Sequence, residues 1–123
     1  MFIPVEDWLR AFLLTIAVET PIVVALVRGF EPDALRIVIL TVFANLATHL
    51  AVWYVFSQLF LVGSVGYTAA AEAWAVAAET LFYWAAVRGL PWRRALGIAV
   101  VANAASFVVG RLLLGTPILN GAM

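Results

Sequence analysis

Apolar residues run almost unbroken through four stretches, roughly 8–27, 35–62, 67–87 and 94–114, each closed by a short polar break. A helix needs about 20 mostly apolar residues to cross a bilayer core. The pattern therefore predicts an all-α membrane protein with four transmembrane helices in a single domain spanning residues 1–123. The breaks carry helix-end chemistry. In Arg28–Gly29–Phe30–Glu31–Pro32–Asp33, a glycine follows the first helix and Asp33 stands where it caps the second. Gly63–Ser64–Val65–Gly66 is an uncharged turn, and Arg88–Gly89–Leu90–Pro91–Trp92–Arg93 repeats the chemistry of the first break. Connections this short make successive helices antiparallel, which gives a four-helix bundle.

The polar interruptions within the apolar runs recur. Glu19–Thr20 followed by Val27–Arg28–Gly29 returns as Glu79–Thr80 followed by Val87–Arg88–Gly89. Past the loops, Arg36 with Ala44–Asn45 and Ala47–Thr48 returns as Arg94 with Ala102–Asn103 and Ala105–Ser106. Such self-similarity marks a duplicated hairpin, with repeat 1 at about 8–62 and repeat 2 at about 67–114. Each copy has two spans, so both enter the membrane in one direction, related by an axis along its normal. Alternating access from an inverted pair is then disfavoured within one chain.

Composition sharpens the class. The chain is 66% hydrophobic and 11% charged, where soluble domains carry about 25% charged residues. All seven basic residues are arginine, so there is no polybasic tract to hold nucleic acid or a lipid surface. With no cysteine, thiol redox chemistry, disulfides and thiolate metal sites are excluded. Glu6 and Asp7 precede the first apolar run where a cleaved signal would carry positive charge, so that run is expected to stay as a span.

Arg28, Arg36, Arg88, Arg93 and Arg94 flank the first and third connections, while Arg10 and Arg111 lie toward the other side. The positive-inside rule makes those connections cytoplasmic and turns both termini outward. Trp8, Trp53 and Trp92 fall near the expected interfaces, as in aromatic belts.

Counting along the helices gives depth. Glu19 lies nine residues before Arg28 and Asn45 nine after Arg36; Glu79 and Asn103 stand the same way to Arg88 and Arg94. At about 1.5 Å per residue, all four lie about 13–14 Å from one face, near the middle of a ~30 Å core. Thr48 and His49 sit about one turn beyond Asn45, and Ser106 repeats Thr48, whereas Phe107 replaces His49. Glu72 and Arg111 reach similar heights and form a candidate structural ion pair. The candidate substrate- or ion-binding set is Glu19, Asn45, Thr48, His49, Glu72, Glu79, Asn103 and Ser106.

Two readings of the Glu/Asn layer compete. As glue, the pairs hydrogen-bond helices together and Ala44, Ala47, Ala102 and Ala105 permit close approach. As a site, the glutamates titrate, since glutamine would serve equally well as glue. Pro21, two residues after Glu19, removes a backbone bond to Ala17 and favours a kink; Leu81 in the second copy shows that the fold does not require one. His49 offers a haem or chlorophyll ligand, or a divalent-ion ligand with Glu72 and Asn45, against the plainer reading of an interhelical hydrogen bond. One histidine with oxygen ligands favours the plain reading, so no metal or cofactor is assigned.

The order Glu–Thr–Pro at 19–21, Asn–x–x–Thr–His at 45–49, Glu79 and Asn–x–x–Ser at 103–106 resembles a widespread group of small bacterial integral membrane proteins of unknown function. That group has duplicated hairpins and an Asn–x–x–Thr motif often followed by proline; here Leu50 takes that position. The resemblance covers most of the chain, implies a multi-pass protein of a bacterial inner (plasma) membrane, and supplies no activity. Small multidrug-resistance transporters share an early glutamate but not the duplicated hairpin, and the glycine- and asparagine-rich motifs of fluoride channels are absent.

The leading functional expectation is transport or proton and ion coupling through the buried glutamates. Four helices filled with Ala, Val, Leu and aromatics leave little room for a private pore, so a homo-oligomer or a partner membrane subunit is expected. The alternative is a non-catalytic accessory subunit with the polar layer as glue. An intramembrane enzyme acting on a lipid-linked substrate, with Glu72, Glu79 and His49 as acid–base groups, ranks third for want of a nucleophile or phosphate-binding loop.

Overall fold

The computed structural model describes residues 5–114. The termini expected to face outward, 1–4 and 115–123, lie outside the described residues. The regular structure of the described residues is all helical, without strands, and forms four helices: α1 Val5–Val27, α2 Ala34–Leu59, α3 Val65–Ala86 and α4 Trp92–Leu114. Three are long and apolar enough to cross a membrane: Val5–Val27 at mean hydropathy 1.9, and Ala34–Leu59 and Trp92–Leu113 at 1.8 each. The alanine-rich α3, which carries Glu72 and Glu79, is not among these three.

The helix ends follow from local capping. Asp33 Oδ1 accepts hydrogen bonds from the amides of Leu35 (3.1 Å) and Arg36 (3.4 Å), as its position in the sequence predicts. Ser64 does the same for α3, its Oγ accepting from the Tyr67 amide at 3.1 Å, so α3 starts two residues before the expected 67. Between α2 and α3, Gly63 takes φ 89°, a left-handed conformation that strains side-chain-bearing residues. Ser64→Ala is expected to cost about 1 kcal/mol of stability, read as a lowered melting temperature in detergent.

The second helix departs from the expected 35–62. Residues Ala34–Ala51 are α-helical, Val52–Phe56 form a π turn, and Phe60 is already extended at φ −130°, ψ 152°. Such turns widen the backbone ladder and are frequent at functional sites. Here the Tyr67 hydroxyl, from α3, donates to the Val52 carbonyl at 3.1 Å, and Ser57 Oγ donates to the Trp53 carbonyl at 2.7 Å.

Each helix packs on two others, in the ring order α1–α2–α3–α4–α1. The half of the bundle nearest the 28–33 and 88–91 connections is dry: Val23, Val27, Ile37, Tyr83, Val87 and Ile98 meet there and are at most 3% exposed. Large apolar side chains also cover the outside, including Leu13, Phe43, Leu81 and Val101, each at least half exposed. Apolar surface on this scale suits hydrocarbon, not water. Trp53 corrects one expectation. It is 5% exposed, packed with Ala11 inside the bundle and not in an outward-facing belt, because the face of α2 that carries it turns inward.

Candidate functional site

The polar layer forms at the bundle centre. Glu19 and Glu79 are fully buried, and Asn45 and Asn103 are 1% and 7% exposed. Each asparagine first satisfies its own helix: Asn45 Nδ2 donates to the Thr41 carbonyl at 3.0 Å, Asn103 Nδ2 to the Ala99 carbonyl at 2.8 Å. One turn on, Thr48 and Ser106 each donate to the carbonyl of that asparagine, at 3.0 and 3.1 Å. The duplicated residues thus make matching local bonds.

Between helices the two copies differ. Asn103 Nδ2 also donates to Glu79 Oε1 at 3.1 Å, joining α4 to α3. Ser106 Oγ donates to Glu19 Oε2 at 2.5 Å, joining α4 to α1 across the two hairpins. Thr48 makes no matching bond to Glu79, whereas Asn45 lies beside Glu19 as Asn103 does beside Glu79. The Glu19 and Glu79 carboxyls abut, with Ala44 and Ala102 buried in the same packed region. Glu19 Oε1, Glu79 Oε2 and Asn45 Oδ1 are buried without a hydrogen-bond donor. Two ionised carboxylates accept only, so a proton held between them is the simplest way to satisfy the facing oxygens.

Two neighbours of the layer escaped the sequence reading. Tyr83, 1% exposed, stands one turn from Glu79, and Thr41, fully buried, stands one turn before Asn45. The two lie beside each other, and Thr41 Oγ1 donates to the Ile37 carbonyl at 2.9 Å. Their i+4 and i−4 spacings from layer residues were the available signal.

Away from the dry core, a cavity of about 110 Å³ opens from the layer toward the α2–α3 connection. Glu19, Asn103 and Ser106 form its inner end; Thr15, His49, Trp53, Thr68, Glu72 and Arg111 line its walls. A water needs only about 10–15 Å³ measured this way, so the chamber has room for several. Its walls are mostly apolar, but Thr15, His49, Thr68, Glu72 and Arg111 interrupt them and offer such waters polar partners.

Other expected contacts are not made. Glu72 and Arg111 share the chamber but form no ion pair; the pair among the described residues is Arg36 Nε to Glu31 Oε1 at 3.2 Å. Arg111 instead lies along its own helix with Cζ 5.6 Å from the Phe107 ring centre, an i−4 neighbour that outcompetes a partner on another helix. His49 packs edge-on against Phe12 with ring centres 5.6 Å apart, and its Nδ1 is buried without a hydrogen-bond partner. No cluster of three or more His, Cys, Asp or Glu side chains able to hold a metal occurs among the described residues. Pro21 is exposed on a continuous α1, on the side away from the chamber.

The absence of cysteine allows clean single-cysteine labelling. Thr15→Cys and Thr68→Cys should react with a small water-soluble thiol reagent at least about tenfold faster than Val87→Cys in the dry half. Equal rates would mean that the chamber admits no water. No family model matches the chain, and no curated protein or solved structure matches it.

Proposed function

We propose that this is a small transport or ion-coupling protein in which Glu19 and Glu79 bind and release protons at the middle of the membrane. All four helices cross the bilayer in this reading, α3 included. The two hairpins run parallel about an axis normal to the membrane, with the arginine-flanked connections in the cytoplasm. The resemblance to small bacterial four-span proteins fits this topology and an inner-membrane location.

One observation carries the reading: buried Glu19 forms the inner end of a one-sided chamber and abuts the buried carboxyl of Glu79. Ionisable groups inside the membrane are costly, and those that persist characteristically mark ion or proton pathways. The chamber supplies an aqueous approach to Glu19, while the opposite half blocks passage with packed side chains. A second copy of the chain or a partner subunit would supply the remaining path. The test is proton flux into liposomes under a pH gradient, comparing the wild type with Glu19→Gln and Glu79→Gln. Wild-type flux in both variants overturns the proposal.

The accessory-subunit reading is favoured by a different observation. The Asn103–Glu79 and Ser106–Glu19 bonds tie three helices together, as structural glue would. In that case Glu19→Gln is nearly silent and the chain leaves native membranes with a stoichiometric partner.

A further inference from the structure

On the outer surface between α2 and α3, an apolar trough of about 570 Å³ is lined by Ala47, Trp74, Ala77, Ala78, Leu81 and Phe82. It runs without a break into a second groove, since Ala85 and Ala86 line both. That second groove holds Arg36, Arg88 and Trp84. We propose that the combined groove binds one anionic phospholipid, with its phosphate between Arg36 and Arg88 and an acyl chain in the trough.

Three physical features select this occupant. The first is charge. Arg36 and Arg88 come from different helices' ends, and among the described residues the carboxylate paired with either of them is Glu31 on Arg36 Nε. That leaves the terminal nitrogens of Arg36 and the whole Arg88 guanidinium for phosphate oxygens, which guanidinium matches in forked geometry. These groups must also offset the partial negative charge of the α3 C-terminus nearby, which an anion without two arginines would meet unfavourably.

The second feature is length. From Arg36 to Ala47 along α2 is about 16 Å, close to half of a ~30 Å hydrocarbon core. The trough therefore spans one leaflet, from headgroup depth to the midplane. A free phosphate would use the arginines and leave the trough empty. A helix from a second copy would be expected to extend across both leaflets.

The third is the aromatic at the junction. Trp84 is 51% exposed where the cationic and apolar parts meet, the depth at which indoles settle in bilayers. No linear stretch encodes this site. The chain lacks a polybasic tract, and the two arginines line one groove only because α2 and α3 pack side by side. The proposal needs α2 and α3 to lie in the bilayer but does not depend on proton binding by Glu19 or Glu79.

The experiment uses the full chain, purified in detergent after incorporation into vesicles of phosphatidylcholine with a minor share of phosphatidylglycerol. Lipid retained per chain is measured by mass spectrometry. The wild type is expected to enrich phosphatidylglycerol over phosphatidylcholine, and the Arg36→Gln/Arg88→Gln double variant to lose at least about tenfold of that enrichment. Ala77→Trp, which fills the trough and keeps both arginines, should lose it as well. An unchanged helical circular-dichroism spectrum identifies folded variants. Retention of phosphatidylglycerol by the folded double variant overturns the proposal. So does enrichment that survives Ala77→Trp, which would point to a headgroup-only phosphate site. A dimer in detergent that Ala77→Trp abolishes while the lipid ratio stays at the bulk value would assign the groove to a second copy.

Discussion

Glu19→Gln is expected to reduce pH-driven flux in liposomes to the level of protein-free vesicles while the bundle still folds. Glutamine keeps the shape of the side chain and can still accept from Ser106 through its amide oxygen, replacing the 2.5 Å bond to Glu19 Oε2. Its amide nitrogen offers a donor to Glu79, whose Oε2 otherwise has none. The cost to stability should stay within about 1 kcal/mol, the scale of single polar contacts between membrane helices. What the substitution removes is the capacity to take up and release a proton at the chamber's inner end. Glu79→Gln is predicted to do the same from the other side of the carboxyl pair, where Asn103 Nδ2 can still donate to the remaining oxygen. Glu19→Leu separates the two roles. It leaves Ser106 and Asn45 without their carboxylate neighbour and should lower the melting temperature as well as the flux. Flux lost only in the leucine variant would favour glue.

Ala102→Leu is predicted to be the most destabilising single change in the dry half, by about 1–3 kcal/mol. Ala102 is fully buried, beside the layer and among the side chains that seal that half of the bundle. A leucine there must push neighbouring helices apart, and the displacement reaches Asn103, the next residue, and with it the bond to Glu79. Val101→Leu is the control. Val101 is 50% exposed on the outer surface, so added methylene volume meets no packed neighbour and should change stability by less than about 0.5 kcal/mol. Thermal unfolding in detergent reads both. Equal effects at 101 and 102 would mean that α4 is rotated from the orientation described.

Some of the site was legible from spacing alone. A helix advances about 1.5 Å per residue, so nine-residue separations from four arginines place two glutamates and two asparagines at one depth. The matching backbone bonds of Asn45 and Asn103 are equally local. Partners across helices were less legible. Thr48 and Ser106 hold equivalent positions in the repeat, yet Ser106 reaches Glu19 and Thr48 reaches only its own helix. Glu72 and Arg111 share a height and a chamber, yet Arg111 lies on Phe107. Depth brings groups to one level, but rotation of each helix about its axis decides which of them touch.

The sequence by itself determined the four helical segments, the cap at Asp33, the short connections and the common level of the polar layer in the bundle, because these depend on neighbours within a few turns of the same chain. The tertiary structure alone decided that the two carboxyls abut, that Trp53 faces inward, and that the space above the layer is open while the space below is packed. It also brought Arg36 and Arg88 to one groove. Those outcomes depend on how four helices share volume, which depends on side chains far apart in sequence.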